Sequence, residues 1–311
     1  MRCPLLAIVG MSWLVGLAWN DNAAPAANPA PPPAASNLAA IRDAMAKVKP
    51  LYQTKGKPQR GDWLESHPES GQSFDQYLKS NPNRPTRGRT TIYIQPLGAF
   101  SDTERKLLDE TVDLLGRFYN MPVRTLDPLG LDVIPDKARR KSPGTGKEQL
   151  LTGYILSDVL APRRPADAVA LLALTPTDLW PGEGWNYVFG QASLTERVGV
   201  WSSARYGDPT ESDQSYRRCL LRMCKVATHE TGHMLGIEHC TAYECGMNGS
   251  NNLAEADRSP LALCPECSAK IWWACGAQPE KWFEALAGFA EKHQFKDEAV
   301  LWRKCQAALA K

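Results

Sequence analysis

Between Thr228 and Met247 the chain reads THETGHMLGIEHCTAYECGM, and three of its five histidines, His229, His233 and His239, fall within eleven positions there. Residues four apart lie one above the other on the same face of an α-helix. His229 and His233 can therefore aim both imidazoles at one ion. Gly236 lets the backbone leave helical geometry, and that turn brings His239 round as a third ligand. Three neutral imidazoles leave the fourth tetrahedral position of zinc open, as a catalytic site requires. Bound zinc lowers the pKa of water towards about 7. Glu230, beside the first ligand, is placed to take that proton as general base. A lone HExxH arises readily by chance. The extended HExxHxxGxxH asks for two more residues at fixed positions, one of which has a backbone reason to be glycine.

These residues need a helix and a sheet to hold them. SDQSYRRCLLRMCKVATHETGHMLG has Tyr216, Leu220, Met223, Val226 and Ala227 on or near one face, which predicts a long helix ending at Gly236. Upstream, TTIYIQPL from Thr90 alternates apolar and polar residues as a strand does. Ser101 and Glu104 form a capping-box pair for a helix carrying Leu107, Leu108, Val112, Leu115 and Phe118 at helical spacing. MPVRTLD reads as a second strand, and a helix is expected near Glu148 to Leu160. AVALLALT is a continuous apolar strand suited to the middle of a sheet. VFGQASL and VGVWSSARY are two further strands around a turn at Glu196. After a loop-rich stretch from His239 to Pro265, helices are expected over CSAKIWWACGA, PEKWFEALAGFAEKH and DEAVLWRKCQAALA.

The extended histidine motif is the signature of the metzincin metalloproteases. Here it is followed by Cys240, then by Cys245 and Met247 as a CxM step, and later by CPEC at Cys264 to Cys267. This pattern resembles the archaemetzincins, and the likeness extends to FGQAS, to the CKVATHE helix and to MNGSNNLAEADRSPLALCPEC. It covers roughly Thr90 to His293. The spacing from Met247 to Cys264 is one residue shorter than is usual in that pattern, a change that falls in a flexible loop. The resemblance implies a metzincin-type zincin of the α+β class. Its parts would be a mixed twisted sheet with long helices, an active-site helix and a small zinc-stapled helical lower subdomain. It implies that His229, His233 and His239 bind the catalytic zinc, that Glu230 is the base, and that Met247 forms the Met-turn beneath the site. It also implies that an edge strand pairs with extended substrate. VFGQASL is the candidate, with Gly190, Gln191 and Ala192 at its centre.

The nine cysteines carry a second signal. Cys3 belongs to the N-terminal apolar segment. Cys240, Cys245, Cys264 and Cys267 have two-plus-two spacing, and four thiolates make a closed structural zinc site. The family resemblance implies the same, so two zinc ions per chain are expected, one catalytic and one structural. Two disulfides among these four are the alternative if the protein is exported. Cys219 and Cys224, five apart on one helix, point away from each other, and whether Cys275 and Cys305 pair is left open. His67 and His293 are isolated and read as surface residues. Trp272, Trp273, Trp282 and Trp302 read as core. Trp180 and Trp185 flank a Pro-Gly-Glu-Gly turn, which leaves open whether they line a cleft. The basic run Lys137 to Lys147 reads as a solvated loop.

The chain's 311 residues carry a net charge of +2, with 43% hydrophobic and 23% charged residues, ordinary globular values that point to no nucleic-acid partner. Leu5 to Ala18 is an uncharged apolar run of fourteen behind Arg2, which suits a signal peptide and is too short to span a bilayer. We therefore expect a signal peptide over 1–22, a Pro/Ala-rich spacer over 23–37 and a poorly structured lead-in over 38–89. A metzincin-like catalytic domain follows over 90–293, its upper subdomain running to about 238, and a C-terminal helix over 294–311 ends the chain. The expected protein is an exported monomeric zinc metallopeptidase acting on peptides or proteins, with no stable membrane insertion after signal cleavage. Two rivals keep the same ligands: a zinc-binding peptide-recognition protein with little or no proteolytic activity, and another zinc hydrolase such as an amidase.

Overall fold

The computed structural model describes residues 35–310. The expected signal peptide and most of the spacer lie outside the described residues. Helix α1 (Ala35–Val48) begins within the last residues of the expected spacer. It is followed by two short helices, α2 (Trp63–Ser66) and α3 (Phe74–Lys79). The lead-in is better packed than its composition predicted. Ile41, Ala44 and Val48 of α1 are buried, as are Trp63, Phe74 and Tyr77. Ser73 and Gln76 cap α3 reciprocally. The short helix over Ala39 to Val48 is readable from Ile41, Ala44 and Val48 at helical spacing, but the packing of Trp63, Phe74 and Tyr77 is not, because single large aromatic anchors in a polar context leave no periodicity to read.

The main sheet begins with β1 (Thr91–Pro96), crosses through α4 (Asp102–Tyr119) and returns as β2 (Val123–Thr125). Ser101 and Glu104 do form the capping box of α4, and Asn120 ends it in the left-handed region. A small second sheet intervenes: β3 (Arg139–Lys141) and β4 (Glu148–Leu151) form an antiparallel pair. The helix expected from Glu148 therefore starts late. The pattern of Gln149 to Leu151 is spent on parallel pairing with β6 (Asp178–Trp180), and Gln149 Nε2 donates to Asp178 at 2.8 Å. Helical turns follow as α5 (Thr152–Tyr154), a π-helical stretch to Leu160 and a 3-10 turn to Arg163. The basic run read as a loop contributes β3, so it is only partly loop.

Strand β5 (Ala168–Thr175) precedes β6; β7 (Gly190–Ser193) and β8 (Val198–Ser202) complete the main sheet in the order β2-β1-β5-β8-β7. All residues of β5 are buried, as its unbroken apolar run required of a strand covered on both faces. Leu172 and Leu174 face the core shared with the long helices, whereas Leu171 and Ala173 face a second core with Leu150, Ile155 and Val159. The strands are parallel except β7, which runs antiparallel to β8 at the sheet's edge.

Helix α6 (Asp213–Met234), capped by Ser212, crosses beneath this sheet. The remaining elements are α7 (Leu253–Arg258), α8 (Pro265–Cys275), α9 (Pro279–Lys292) and α10 (Lys296–Leu309). Trp272, Trp273, Trp282 and Trp302 are buried as expected, and Trp282 Nε1 donates to the carbonyl of Phe118 at 2.7 Å, tying α9 to α4. His293 is not the surface residue its isolation suggested. It is buried between Phe289 and Phe295, with Nδ1 3.6 Å from Glu110. No described helix is long and apolar enough to cross a membrane.

Candidate active site

Helix α6 delivers His229 and His233 to one point: their Nε2 atoms lie 2.9 Å apart. Each ring uses its other nitrogen on a backbone carbonyl. His229 Nδ1 lies 2.9 Å from Gly246 O, and His233 Nδ1 lies 2.8 Å from Ile237 O. A carbonyl only accepts, so both Nδ1 atoms carry the proton and both Nε2 atoms present lone pairs. Burial, with the neighbouring histidine charge second, pushes the His229 pKa down to about 3, and burial followed by His229 lowers that of His233. Both are held neutral, the form that binds metal.

His239 completes the set. Gly236 takes φ +78°, so the chain reverses where the motif places its glycine. His239 Nδ1 lies 3.0 Å from both carboxylate oxygens of Glu69, and its Nε2 is buried with no hydrogen-bond partner. The ligand atoms of the three histidines all fall within 4.8 Å of one another. Opposed lone pairs and an orphaned buried nitrogen at one point are what a cation would resolve, so the residues fit zinc. Glu230, on the same helix, is buried and its Oε1 has no partner. Burial raises its pKa to about 8.

Below the helix, Met247 packs where only glycine allows it. A Cβ at Gly232 would stand 2.7 Å from Met247 Sδ. Cys240 N–H donates to the Met247 carbonyl at 2.7 Å, closing the loop between them. The thiols of Cys240, Cys245, Cys264 and Cys267 are unbridged, buried and within 4.8 Å of one another. The Cys264 and Met247 amides donate to Cys245 Sγ at 3.2 and 3.4 Å, and Cys267 lies in the first turn of α8. Four soft ligands with amide donors around them suit a closed zinc site. Cys275 and Cys305 are not paired, and Cys219 and Cys224 are likewise free.

A cleft of about 810 Å³ opens over the histidines. Glu230, His233 and His239 form its floor, Gln191, Ala192 and Leu194 one wall, and Trp63, Glu69 and Gln72 of the lead-in another. Strand β7 thus stands at the sheet edge beside the histidines, with Gly190 close against Glu230. Trp180 and Trp185 are not among the cleft's lining residues, and Arg140 covers the Trp180 ring at 4.4 Å. Sequence reasoning missed the lead-in wall. His67, read as an isolated surface residue, lines the cleft and stacks on Trp63 at 4.0 Å. No local pattern marked Trp63 or Glu69, because their partners Glu255 and His239 lie more than a hundred residues away.

Comparison with known proteins agrees with this geometry. The model of peptidase family M54 matches residues 167–272. Human archaemetzincin-2 is 37% identical over 258 residues, covering 72% of this chain and 71% of that protein. Human archaemetzincin-1 is 31% identical over 246 residues, covering 69% of this chain and 49% of its own length. The crystal structure of archaemetzincin from Methanopyrus kandleri superposes with a TM-score of 0.50 at 26% identity, covering 62% of this chain and 99% of that one. The chain belongs to the archaemetzincin family and is a zinc metallopeptidase.

Proposed function

We propose that His229, His233 and His239 hold the zinc of a peptide-hydrolysing site, with Glu230 as its general base. The observation that carries this reading is the convergence of one ligand nitrogen from each of three imidazoles within 4.8 Å, with Glu230, an unpartnered carboxylate, joining His233 and His239 at the floor of the cleft. Zinc, when bound, supplies a Lewis acid that polarises a carbonyl and acidifies water. The rest falls to the chain's own groups. Glu230 takes a proton from the attacking water, whose oxygen adds to the carbonyl carbon. It then returns that proton to the amine nitrogen as the C–N bond breaks.

Substrate docks along β7. An exposed strand edge offers unpaired backbone groups, and an extended peptide pairing with Gly190, Gln191 and Ala192 brings its carbonyl over the histidines. Such pairing reads backbone more than side chains, so many sequences are accepted. Met247 supports the helix from below through its contact at Gly232. Cys240, Cys245, Cys264 and Cys267 hold a second, structural zinc, giving two ions per chain. The apolar run Leu5 to Ala18 supports export, and the amino-terminal sequence of the mature protein checks it.

A peptide library incubated with the purified protein tests the central claim. Wild type cleaves, whereas Glu230→Ala retains its metal content and melting temperature and does not cleave. A Glu230→Ala variant that cleaves at the wild-type rate refutes the assignment of the base.

A further inference from the structure

Two of the three histidines are oriented by backbone carbonyls of their own neighbourhood. The third is oriented by a carboxylate 170 residues away in sequence, from the lead-in. Glu69 does not stand there alone. Trp63 meets the His239 ring edge-on at 5.3 Å, and the Trp63 backbone N–H is anchored by Glu255 at 2.9 Å.

The same segment binds the turn that carries His239. The last carbonyls of a helix have no partner within it, and here the lead-in supplies donors. Asn83 Nδ2 donates to Met234 O at 2.8 Å, Tyr77 Oη to Leu235 O at 2.8 Å, and Gln72 Nε2 to Gly236 O at 3.2 Å. Gln72 Oε1 in turn accepts from Glu238 N–H at 3.3 Å. The turn is thus held at Met234, Leu235, Gly236 and Glu238, and Glu69 engages the next residue. The side chain of Glu69 is 30% exposed and that of His239 only 9%, so the carboxylate reaches inward to the ring.

We propose that Glu69 is a positioning residue of the histidine metal centre, holding His239 in the tautomer that presents Nε2 to the ion. A carboxylate on Nδ1–H fixes ring rotation and raises the basicity of the distal nitrogen, and loss of such a partner typically weakens metal affinity about 10–100-fold. The lead-in is then a working part of the centre. This rests on the reading of His239 as a ligand.

The test is zinc affinity measured by competition with a chromophoric chelator on the full chain. The histidine site is identified as the ion lost in His233→Ala. Glu69→Ala should weaken that site about 10–100-fold and leave the cysteine site unchanged. Glu69→Gln keeps an acceptor without the charge and nearly the same shape, so it should recover part of the loss. Histidine ¹⁵N spectra of the metal-free protein give a readout that packing alone would not move: wild-type His239 carries its proton on Nδ1, and Glu69→Ala loses that single tautomer. Affinities of both variants within two-fold of wild type, with unchanged His239 ¹⁵N shifts, overturn the proposal. If Glu69→Ala does not fold, Glu69→Gln at wild-type affinity with unchanged shifts does the same. A wild type from which His233→Ala removes no ion overturns the ligand reading itself, and this proposal with it.

Discussion

Two proline substitutions at adjacent positions of β7 should fail in different ways, one in catalysis and the other in folding. In an antiparallel pair, residues whose backbone groups face the partner alternate with residues whose groups face away. Ser202 N–H donates to Phe189 O at 2.8 Å, and Ser203 N–H donates to Thr175 O on the other side at 3.1 Å. With Gln191 opposite Val200 and Ala192 opposite Gly199, Gln191 faces β8 and Ala192 turns its N–H to the open edge. Ala192→Pro therefore removes a donor available to substrate and spares the ladder. One backbone hydrogen bond is worth about 0.5–1.5 kcal/mol net, which at about 1.4 kcal/mol per decade gives a fall of roughly 2–12-fold in kcat/KM. The pyrrolidine ring on the docking edge adds to it. Gln191→Pro instead breaks a ladder bond and displaces the side chain that accepts from Thr152 Oγ1, so it should lower the melting temperature. Steady-state cleavage of a fluorogenic peptide, with zinc content and thermal melts on the same samples, separates the two. A folded, zinc-loaded Ala192→Pro protein that cleaves at the wild-type kcat/KM would refute docking on this edge.

Native mass spectrometry of the protein should find two zinc ions, and Cys264→Ser should lose one of them and melt at lower temperature, because metal binding there is folding free energy; an unchanged melting temperature contradicts a structural role. Gly232→Ala places a Cβ 2.7 Å from Met247 Sδ and should cost about 1–3 kcal/mol by overpacking. Combining it with Met247→Ala should relieve part of that cost, so the two changes are non-additive in denaturant melts; strict additivity would mean that the two residues do not press on each other.

The histidine centre was legible because its geometry is local. Two ligands one helical turn apart and a third after a glycine at φ +78° need only backbone rules. The four cysteines were legible by knuckle spacing, and the place of β7 beside β8 by strand order. What stayed hidden were contacts across long separations. Glu69 meets His239, and Trp63 meets Glu255, from a segment whose apolar residues stand too far apart to show a period. The start of β4 was hidden for another reason: Gln149 and Leu150 could serve a helix or a strand, and the tertiary partner β6 decided. His293 looked solitary because no other histidine or cysteine lies near it in sequence, yet the fold buries it against Phe289 and Phe295 and turns its Nδ1 towards Glu110.

A single peptide bond separates His239 from Cys240, and Gly246, whose carbonyl accepts the hydrogen bond from His229 Nδ1–H, sits between Cys245 and Met247. Two of the three imidazoles are thus anchored to the loop that the thiols gather. An oxidant or alkylating agent that scatters the thiols would disarm hydrolysis from a distance, without touching a histidine or the substrate groove. Sensitivity to thiol reagents in this protein would therefore report on scaffolding and would not mark a nucleophilic cysteine.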